Sequence, residues 1–527
     1  MAEANDKDFG VTGEGAAREH NAAAHFIDRH LAQGRGEKIA IIDDAGEYSY
    51  AELAARVNRA GNALKNLGVG AGARVMLALL DGIDFAAVFW GALKIGAIPV
   101  PVNTMLAAED YAYLLGDSEA KALCVSAALL ERIRPAFEGD PHPPLIIVSG
   151  GAGAAGAYRF DEVVGAADDR LAAAPARADE IAFWLYSSGS TGKPKAVTHR
   201  HRGLLPTAVL YAEKVLGIAA GDVCFSASKM FFAYGLGNAM TFPLHAGATA
   251  VLMAERPTPA AVMRVLRVHQ PTIFFGVPTL YAGILADAEN SRATGSPRLR
   301  ICASAGEALP APVAERWRER FGVEILDGLG STEALHIFIT NRADDLRSAS
   351  TGRPVAGYEI ELRDEAGNAA AGGEVGDLWV RGPSIGAGYW NNPEATARAF
   401  VDGWLRTGDK YRRDADGYFH FAGRADEMLK VGGIWVSPFE VESALAAHPA
   451  VLEAAVVGGE DADRLVKPKA YVVLKDRSRA SAALAGELKE FVKGRLAPYK
   501  YPRWIEFREE LPRTATGKLK RHELTRA

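Results

Sequence analysis

One short segment of the chain has residue types and spacing typical of a ligand-binding loop, because it is rich in glycine, hydroxyl side chains and lysine. It reads Tyr186-Ser-Ser-Gly-Ser-Thr-Gly-Lys-Pro-Lys195 and follows the apolar run Ile181–Leu185. Glycines let backbone N–H groups approach an anion, hydroxyls donate further hydrogen bonds, and lysines add positive charge. The pattern therefore predicts a polyphosphate-binding loop after a strand, not a solvated linker. The candidate phosphate contacts are Ser187, Ser188, Gly189, Ser190, Thr191, Gly192, Lys193 and Lys195.

Two other nucleotide-binding motifs compete with this interpretation. A kinase-type P-loop needs Gly-x-x-x-x-Gly-Lys-Ser/Thr running into a helix. Here Pro194 follows Gly192-Lys193, so the magnesium-binding hydroxyl is missing and helical geometry at Lys193 is disfavoured. The stretch from Gly151 to Gly156 matches GxGxxG, which leaves a nicotinamide-dependent oxidoreductase as an alternative of another class. That stretch is almost all Gly and Ala, however, where chance matches are easy, and no long helix is predicted to begin there.

Composition limits the classes of protein to consider. The 527 residues are 49% hydrophobic and 24% charged, which is typical of a globular chain of several domains. A net charge of −5 disfavours nucleic acid and anionic membrane surfaces as partners. Three scattered cysteines predict no disulfide framework, and no signal-peptide pattern opens the chain, so a cytoplasmic protein is expected. The apolar stretch Phe85–Val102 contains Lys94 and two prolines, and it is predicted to be a helix, a turn and a strand, not a membrane span.

Strand and helix patterns alternate along most of the chain, which predicts an α/β fold with mostly parallel sheets covered by helices. Two stretches resemble linkers, Gly150–Ala157 and Arg363–Gly376. After the second, short aromatic strands predict a small β-barrel-like part. We therefore expect a large N-terminal body, 1–423, and a small C-terminal α/β domain, 424–527. The predicted strands are Lys38–Ile42, Arg74–Leu79, Ala122–Val125, Leu145–Val148, Ala248–Leu252, Thr272–Phe275, Glu324–Leu326, Asp377–Arg381, Gly417–Phe421, Ala454–Gly458 and Ala470–Leu474, and the predicted helices are Tyr50–Leu67, Phe85–Gly96, Ala260–His269, Ala311–Phe321, Pro438–Ala447 and Leu484–Arg495.

The phosphate loop resembles the signature of the adenylate-forming superfamily, which contains acyl-CoA synthetases, peptide synthetase adenylation domains and luciferases. Five further motifs of that family follow in order, so the resemblance covers nearly the whole chain. It implies an adenine pocket lined by the second motif, and a phosphate contact from Thr332 in the third, which begins at Asp327-Gly328. Glu333 is implied to hold Mg²⁺, because a carboxylate oxygen suits that hard ion. The second motif is Ser304, Ala305, Gly306 and Glu307.

The remaining motifs lie in the C-terminal part of the chain. The resemblance implies that Asp409 accepts the ribose hydroxyls, with Arg424 nearby, and that the C-terminal domain turns about Asp426 as a hinge. The implied catalytic residues are Lys518, whose flexible stem brings a compact charge to the reacting carboxylate and α-phosphate, and the Thr332-Glu333 pair. The implied coenzyme A path follows the hinge and contains Lys430, Gly432, Gly433 and Trp435.

Within the superfamily, the chain looks most like the benzoate-CoA ligase group. Amino-acid-activating relatives usually carry an acid that holds the substrate ammonium, whereas Met230–Asn238 contains none. The group is similar here in Phe232-Ala-Tyr-Gly-Leu-Gly-Asn238 and Leu335-His-Ile-Phe338. Such residues would form a flat, mostly apolar slot for a planar ring. His336 could fix the carboxylate, bond a ring substituent or support the wall. The candidate substrate contacts are Phe232, Ala233, Tyr234, Leu329, Gly330, His336 and Ile337.

The resemblance implies an enzyme that uses ATP, Mg²⁺ and coenzyme A to convert an aryl carboxylate to its CoA thioester, as a monomer or homodimer. Hydroxybenzoate and aminobenzoate remain alternative acids, and a medium-chain or alicyclic acid is a more distant one. A non-catalytic sensor on the same fold is the alternative of another class. His199 and His201 have the look of a metal pair, but a structural role is favoured. Ala196 stands where many members of the resembled family have glycine. Since a methyl group is a small change, we expect the loop to be slightly altered but still functional.

Overall fold

The computed structural model of the protein describes residues 20–151, 156–187, 193–425, 427–431, 434–461, 465–513 and 519–525. The first part of the chain forms a parallel sheet in the order β4-β3-β5-β6-β7, with β1 and β2 joining a larger sheet. The predicted helix, turn and strand over Phe85–Val102 are confirmed. The elements are α1 (Arg29–Ala32), β1 (Ile39–Asp43), β2 (Gly46–Ser49), α2 (Tyr50–Asn66), β3 (Arg74–Ala78), α3 (Ile83–Lys94), β4 (Ile98–Pro101), α4 (Ala108–Ser118), β5 (Ala122–Ser126), α5 (Ala127–Ile133), β6 (Leu145–Ser149), β7 (Tyr158–Arg159) and α6 (Phe160–Gly165).

Helix α2 shows how the sequence specifies these elements. Ser49 caps it, accepting from the Glu52 N–H while the Glu52 carboxylate accepts from the Ser49 N–H. The predicted apolar face is buried against α3, with exposures of 0 to 3% for its members. The two helices cross closely, because a Cβ at Gly91 would lie 2.8 Å from the Gly61 nitrogen. The members of that face are Leu53, Val57, Ala60 and Leu64.

A nine-stranded sheet forms the centre of the body, in the order β16-β15-β14-β13-β12-β10-β11-β1-β2. It is parallel from β14 to β1, so the carboxyl ends of these strands meet at one edge, and Ser304 pairs in register with Asp327 there. The elements are β8 (Ile181–Ser187), β9 (Lys195–Arg200), α7 (His201–Thr207), β10 (Val223–Ser226), α8 (Ala233–Leu236), α9 (Phe242–Ala246), β11 (Thr249–Val251), α10 (Pro259–His269), β12 (Ile273–Gly276), α11 (Pro278–Ala286), β13 (Ile301–Ser304), α12 (Ala311–Phe321), β14 (Ile325–Gly330), β15 (Ile337–Thr340) and β16 (Arg353–Pro354).

An antiparallel sheet in the order β17-β18-β21-β20, with β22 on β21, is the small curled part that the sequence predicts. The linker predicted at Arg363–Gly376 is wrong, because this segment closes a hairpin in which Arg363 pairs with Asp377 and bridges to Ala369. Gly and acidic residues suit a hairpin turn as well as a linker. The elements are β17 (Glu359–Arg363), β18 (Val375–Arg381), β19 (Gly388–Tyr389), α13 (Pro393–Ala399), β20 (Phe400–Val401), β21 (Trp404–Arg413) and β22 (Phe419–Arg424).

The last part of the chain is a small α/β unit with an apolar core of its own, which includes Val436, Leu445 and Leu488. Its sheet has the order β25-β26-β27. The described residues also contain short π-helical segments at Ala24–Asp28, Ala208–Glu213 and Gly237–Thr241 and short 3₁₀ segments at Arg134–Ala136 and Arg477–Arg479. The elements of this unit are β23 (Leu429–Val431), β24 (Ile434–Val436), α14 (Pro438–Ala446), β25 (Val451–Glu460), β26 (Val466–Leu474), α15 (Ala482–Lys493), β27 (Trp504–Phe507) and α16 (Arg521–Thr525).

Candidate active site

The two ends of the predicted phosphate loop lie side by side, because β8 and β9 pair antiparallel with Ser187 opposite Lys195. Residues 188–192, which include five of the predicted phosphate contacts, lie outside the described residues. The two lysines are described. Lys193 Nζ lies 4.8 Å from the centre of the Tyr113 ring, and Lys195 Nζ lies 5.3 Å from that of Tyr389. Cation–π contacts with Tyr113 and Tyr389 therefore hold both ammonium groups at the second end of the loop.

Glu333 is held beside the same hairpin. The Tyr389 hydroxyl donates to Glu333 Oε1 at 2.9 Å, and β19 places Tyr389 against β9. Burial, together with the neighbouring Glu333 carboxylate, raises the pKa of the Tyr389 phenol, so it stays a donor at physiological pH. Thr332 precedes Glu333 and begins a turn, in which the Thr332 carbonyl accepts from the Leu335 N–H at 3.1 Å. The turn needs a left-handed residue, and Leu335 supplies it with a φ of 68°.

The second and third motifs meet where β13 and β14 end. Ser304 is fully buried and Ala305 is 3% exposed, whereas Gly306 and Glu307 reach the surface region. Burial raises the pKa of the Asp327 carboxyl well above its usual range, although the backbone N–H groups of Leu309 and Gly328 partly offset this. Within the part of the chain that the structure describes, neither Asp327 Oδ1 nor Ser304 Oγ has a hydrogen-bond partner. Buried polar atoms of this kind are suited to bonding a ligand.

A cavity of about 260 Å³ opens beside Asp327. It begins at Ala308, one residue after Glu307, and α14 of the C-terminal unit forms its opposite wall. The size lies just below the roughly 300 Å³ at which small-molecule pockets usually start. Its principal lining residues are Ala308, Leu309, Asp327, Ser350, Thr351, Phe421, Phe439, Ser443 and Ala447.

Asp409 and Arg424 are brought together on neighbouring strands, in register on β21 and β22. Arg424 Nη1 donates to Asp409 Oδ1 at 3.0 Å and to the Thr407 carbonyl at 3.2 Å. The Asp409 side chain is 10% exposed and that of Arg424 is 40% exposed. The pair therefore presents a carboxylate of fixed direction beside a more accessible guanidinium.

The predicted aryl slot is assembled around His336. Its ring lies 4.5 to 5.5 Å from those of Tyr211, Tyr234 and Phe242, and its Nε2 lies 3.2 Å from Asn238 Oδ1. Burial lowers the pKa of His336 to about 3, so the imidazole is neutral at physiological pH. Leu329 and Gly330 pair with β15 next to Ile337. Gly330 must stay a glycine, since a Cβ there would lie 2.6 Å from the His336 carbonyl oxygen.

Several predicted residues fall where the structure describes nothing. Asp426, Gly432, Gly433 and Lys518 lie outside the described residues, as do the side chains of Lys430 and Trp435. The described chain nevertheless reaches the cleft close to the last motif. Arg513 Nη1 lies 3.8 Å from Glu307 Oε1, which joins the C-terminal unit to the second motif.

His199 and His201, the histidine pair singled out in the sequence, are both buried. His199 is buried on β9 and stacks on Phe183 with ring centres 5.0 Å apart. His201 Nδ1 accepts from the Ala22 N–H at 3.2 Å. Among the described residues, no group of three His, Cys, Asp or Glu side chains is placed to hold a metal ion. The three cysteines are buried free thiols, as expected from their spacing.

Comparison with known proteins places the chain in a family. The model described as AMP-binding enzyme matches residues 28–390, and that described as AMP-binding enzyme C-terminal domain matches residues 440–518. The chain belongs to the AMP-binding enzyme family. The predicted fold class and the predicted membership of the adenylate-forming superfamily are confirmed. ATP and coenzyme A use follow from that membership. Within the described residues, no helix combines the length and the apolar character that crossing a bilayer requires.

Three relatives of this AMP-binding enzyme are similar over nearly their whole length. It is 55% identical to a benzoate–CoA ligase of Thauera aromatica, over 96% of each chain. It is 48% identical to a 4-hydroxybenzoate–CoA/benzoate–CoA ligase of Rhodopseudomonas palustris, over 96% of this chain and 94% of the relative. The crystal structure of a benzoate CoA ligase from Burkholderia xenovorans LB400 superposes with a TM-score of 0.89 at 50% identity, over 96% of this chain and 99% of that one.

Some residues that contact the predicted site of this AMP-binding enzyme are not indicated by the sequence. Tyr389 bonds Glu333 from 56 positions away, a separation that carries no local pattern. Asp81 Oδ1 accepts from the Met230 N–H at 3.2 Å, where the aryl stretch begins, and burial raises the pKa of this carboxyl to about 6. The cavity wall from α14 was also missed, because helix periodicity does not indicate which side of a helix meets a ligand.

Proposed function

We propose that the protein is an ATP-dependent aryl carboxylate–CoA ligase that forms benzoyl-CoA through benzoyl-adenylate and releases AMP and pyrophosphate. The observation that carries the proposal is the 55% identity to the Thauera aromatica benzoate–CoA ligase over 96% of each chain. The slot around His336 supports it, because rings and aliphatic side chains surround a neutral imidazole and Met230–Asn238 contains no acid. An aromatic ring gains from apolar burial in such a site, whereas a substrate ammonium would be unpaired there.

In the first step, an aryl carboxylate oxygen attacks the α-phosphorus of ATP and the bond to pyrophosphate breaks. The phosphate loop, with Lys193 and Lys195, holds the leaving group, and Thr332 contacts phosphate. Lys518 neutralises charge at the reacting centre, while the ribose lies on Asp409 and Arg424 and the adenine beside Asp327. Much of the acceleration then comes from positioning and preorganised charge. The adenine contacts come from Ser304, Ala305, Gly306, Glu307, Asp327 and Gly328.

Glu333 is the residue that would hold Mg²⁺. One of its oxygens bonds Tyr389, and a single carboxylate with substrate phosphates is the usual magnesium arrangement in nucleotide sites. When bound, the ion neutralises phosphate charge. The Tyr389 hydrogen bond orients the carboxylate for this task.

In the second step, the C-terminal domain, 424–527, turns about Asp426. The segment from Lys430 to Trp435, with Gly432 and Gly433, then lines the path of coenzyme A. The CoA thiolate attacks the acyl carbonyl, a thioester forms, and AMP leaves with its phosphate oxygen. Such a hinge lets one cleft present two sets of groups in turn. A cytoplasmic location and a monomer or homodimer are part of this proposal.

A hydroxybenzoate ligase is the second candidate, and a specific observation favours it. Tyr234 Oη and Asn238 Nδ2 are buried beside the slot and have no hydrogen-bond partner among the described residues. A ring hydroxyl could satisfy one of them, and the Rhodopseudomonas palustris relative is named for both acids. Discrimination of this kind turns on one or two contacts, worth about 1–3 kcal/mol each.

The deciding experiment is a panel of acids assayed with ATP, Mg²⁺ and coenzyme A for pyrophosphate and acyl-CoA. The panel contains benzoate, 4-hydroxybenzoate, 2-aminobenzoate, cyclohexanecarboxylate and hexanoate. We expect the highest kcat/KM for benzoate. Preference for hexanoate, or no acyl-CoA from any aryl acid, would refute the proposal.

The role of Lys518 has a separate test. Lys518→Ala is expected to abolish pyrophosphate release with benzoate and ATP, yet to leave thioester formation from supplied benzoyl-adenylate largely intact. Lys520→Ala, two residues along, is the matched control and should leave both steps near wild type. Equal loss of both steps in Lys518→Ala would contradict the assignment.

A further inference from the structure

Both ends of the phosphate loop are attached to one face of a single helix, α4. At the first end, the Tyr186 hydroxyl donates to Asp117 Oδ2 at 2.7 Å. At the second end, the Tyr113 hydroxyl donates to the Pro194 carbonyl at 3.0 Å. Tyr113 and Asp117 are four residues apart, so they lie one turn apart on the same side of the helix. The separation of the two loop ends is thus matched to one helical turn.

We propose that Tyr113 and Asp117 are positioning residues that hold the phosphate loop in the geometry needed for adenylation. The inference rests on the proposed function, because it concerns the first step of that reaction. Neither residue belongs to the recognisable loop motif, and α4 precedes that loop by some seventy positions in the chain.

Hydrogen bonds hold both the side chain and the backbone of Asp117. Burial and the Asp117 carboxylate raise the pKa of the Tyr186 phenol, so its hydroxyl remains a donor, and a bond to a charged acceptor is stronger than a neutral one. The Asp117 backbone is also held, since Trp390 Nε1 donates to its carbonyl at 3.0 Å. The Trp390 ring packs on Trp184 of β8 with centres 4.6 Å apart. The backbone that carries the Asp117 carboxylate is therefore fixed relative to β8.

Trp390 also connects this attachment to the magnesium candidate. Its neighbour Tyr389 donates to Glu333, and β19 pairs with β9 directly after the loop. Movement of α4 relative to β8 would thus change the spacing between the phosphate loop and Glu333. We therefore expect the attachment to position the phosphate loop relative to Glu333, the two elements that are proposed to bind the same triphosphate.

Tyr113 makes a second, separable contact. Lys193 Nζ lies over its ring at 4.8 Å, in addition to the hydrogen bond from its hydroxyl to Pro194. Proline fixes φ, so anchoring the Pro194 carbonyl restricts the directions in which Lys193 and Lys195 leave the backbone. The ring keeps Lys193 near the loop when no phosphate is bound. Phenylalanine at position 113 would remove only the hydrogen bond to Pro194, whereas leucine would remove both that bond and the ring contact with Lys193.

The test compares Tyr113→Phe, Tyr113→Leu and Asp117→Ala with a matched control on the same helix. Tyr111 also lies on α4 and donates its hydroxyl to the Asn103 carbonyl at 2.7 Å, so Tyr111→Phe deletes an equivalent bond away from the loop. Each variant is assayed for pyrophosphate release with benzoate and ATP, and for thioester formation from supplied benzoyl-adenylate and coenzyme A. Mg-ATP binding is measured by calorimetry and the melting temperature by scanning calorimetry.

Tyr113→Phe is expected to raise the KM and Kd for ATP about three- to ten-fold, as for loss of one hydrogen bond. Tyr113→Leu and Asp117→Ala should weaken ATP binding further and lower kcat for adenylation. Thioester formation should stay within about two-fold of wild type in all variants. Tyr111→Phe should change the melting temperature without changing the Kd for ATP.

Three results would overturn the inference. The first is an unchanged Kd for ATP in Tyr113→Leu and Asp117→Ala. The second is an equal loss of both half-reactions in step with the melting temperature. The third is the same loss of ATP affinity in Tyr111→Phe. A wild-type enzyme that binds ATP but forms no aroyl-CoA would instead refute the proposed function, while the calorimetric comparison would still decide the role of α4.

Discussion

A methyl group added at Gly237 would test whether His336 shapes the acid site. Gly237 begins the π-helical turn Gly237–Thr241 with a φ of −61°, so alanine fits the backbone. Its Cβ, however, would lie 2.5 Å from His336 Cδ2 and 2.8 Å from Nε2. Carbon contacts are optimal near 3.5–4.0 Å, so the imidazole must shift by about 1 Å. Three aromatic rings, those of Tyr211, Tyr234 and Phe242, lie within 5.5 Å of the imidazole, so a shift of the imidazole also displaces residues of the proposed acid slot.

The magnitude follows from that overlap. Overpacking by one methyl group costs typically about 1–3 kcal/mol, against a helix-propensity gain of up to ~1 kcal/mol for replacing glycine. If the displaced imidazole occupies ring space, kcat/KM for benzoate falls about 5- to 150-fold. The KM for ATP should change less, because the proposed ATP contacts include neither Gly237 nor His336. Steady-state pyrophosphate release with varied benzoate and varied ATP measures both.

Gly203→Ala is the matched control. Gly203 is also a buried helical glycine, but its Cβ would meet nothing closer than 3.8 Å. We expect this variant to keep benzoate kinetics and to melt at an unchanged or slightly higher temperature. The reasoning would be refuted by a folded Gly237→Ala enzyme with wild-type kcat/KM for benzoate, or by equal losses in the two variants.

Three further predictions concern the proposed ribose pair, a buried histidine and a partly buried arginine. Asp409→Asn should reduce the preference for ATP over 2′-deoxy-ATP about ten-fold or more, because hydrogen bonds to a carboxylate are worth about 1.5–3 kcal/mol. Burial lowers the pKa of His199 to about 3, below its unfolded value of about 6.5. Below pH 6.5 the unfolded state therefore binds one more proton than the folded state, and the free energy of unfolding decreases as the pH is lowered. His199→Gln should remove up to about 1.4 kcal/mol per pH unit of that decrease, measured by urea unfolding between pH 6.5 and 4.5. Arg521→Met should destabilise the C-terminal unit by about 1–3 kcal/mol, since the partly buried guanidinium bonds the buried Glu442 carboxylate at 3.0 Å, and proteolysis of that unit should accelerate.

Each of these has its own control. Arg406→Gln changes an exposed arginine on the same strand as Asp409 and should leave the deoxy-ATP ratio unchanged, so an unchanged ratio in Asp409→Asn would contradict a ribose contact. His269→Gln changes a histidine at the end of α10, and a pH slope equal to that of His199→Gln would show that burial is not the cause. Arg479→Met alters an exposed arginine of the C-terminal unit, and equal proteolysis of both variants would contradict a stabilising pair at Arg521.

Local elements could be predicted from the sequence because their signals are short-range. The helix Ala311–Phe321 was predicted with the bounds that the structure has, and α2 carries both its cap and its buried face in the sequence. The segment Arg363–Gly376 was misassigned because glycine and acidic residues favour hairpin turns and linkers alike. Strand pairing decides between them, and that depends on β18 finding β17.

The candidate site divides in the same way. The phosphate loop, the Thr332-Glu333 pair and Asp409 are carried by residue types at fixed spacing, and the family resemblance assigned their roles. Those residues are encoded locally because the ligand approaches the backbone and side chains of one turn at a time. The class of chemistry, and the apolar character of the proposed acid slot, can therefore be inferred from residue types and their order alone.

The groups that pack behind these residues become visible only in the folded chain. Tyr389 meets Glu333, α4 attaches to both ends of the phosphate loop, and α14 closes a cavity on Asp327, each across a long separation in the chain. Burial, which holds His336 neutral with a pKa of about 3, is likewise a property of the packed rings around it. Contacts and desolvation depend on what lies nearby in space, and one sequence position does not carry that information.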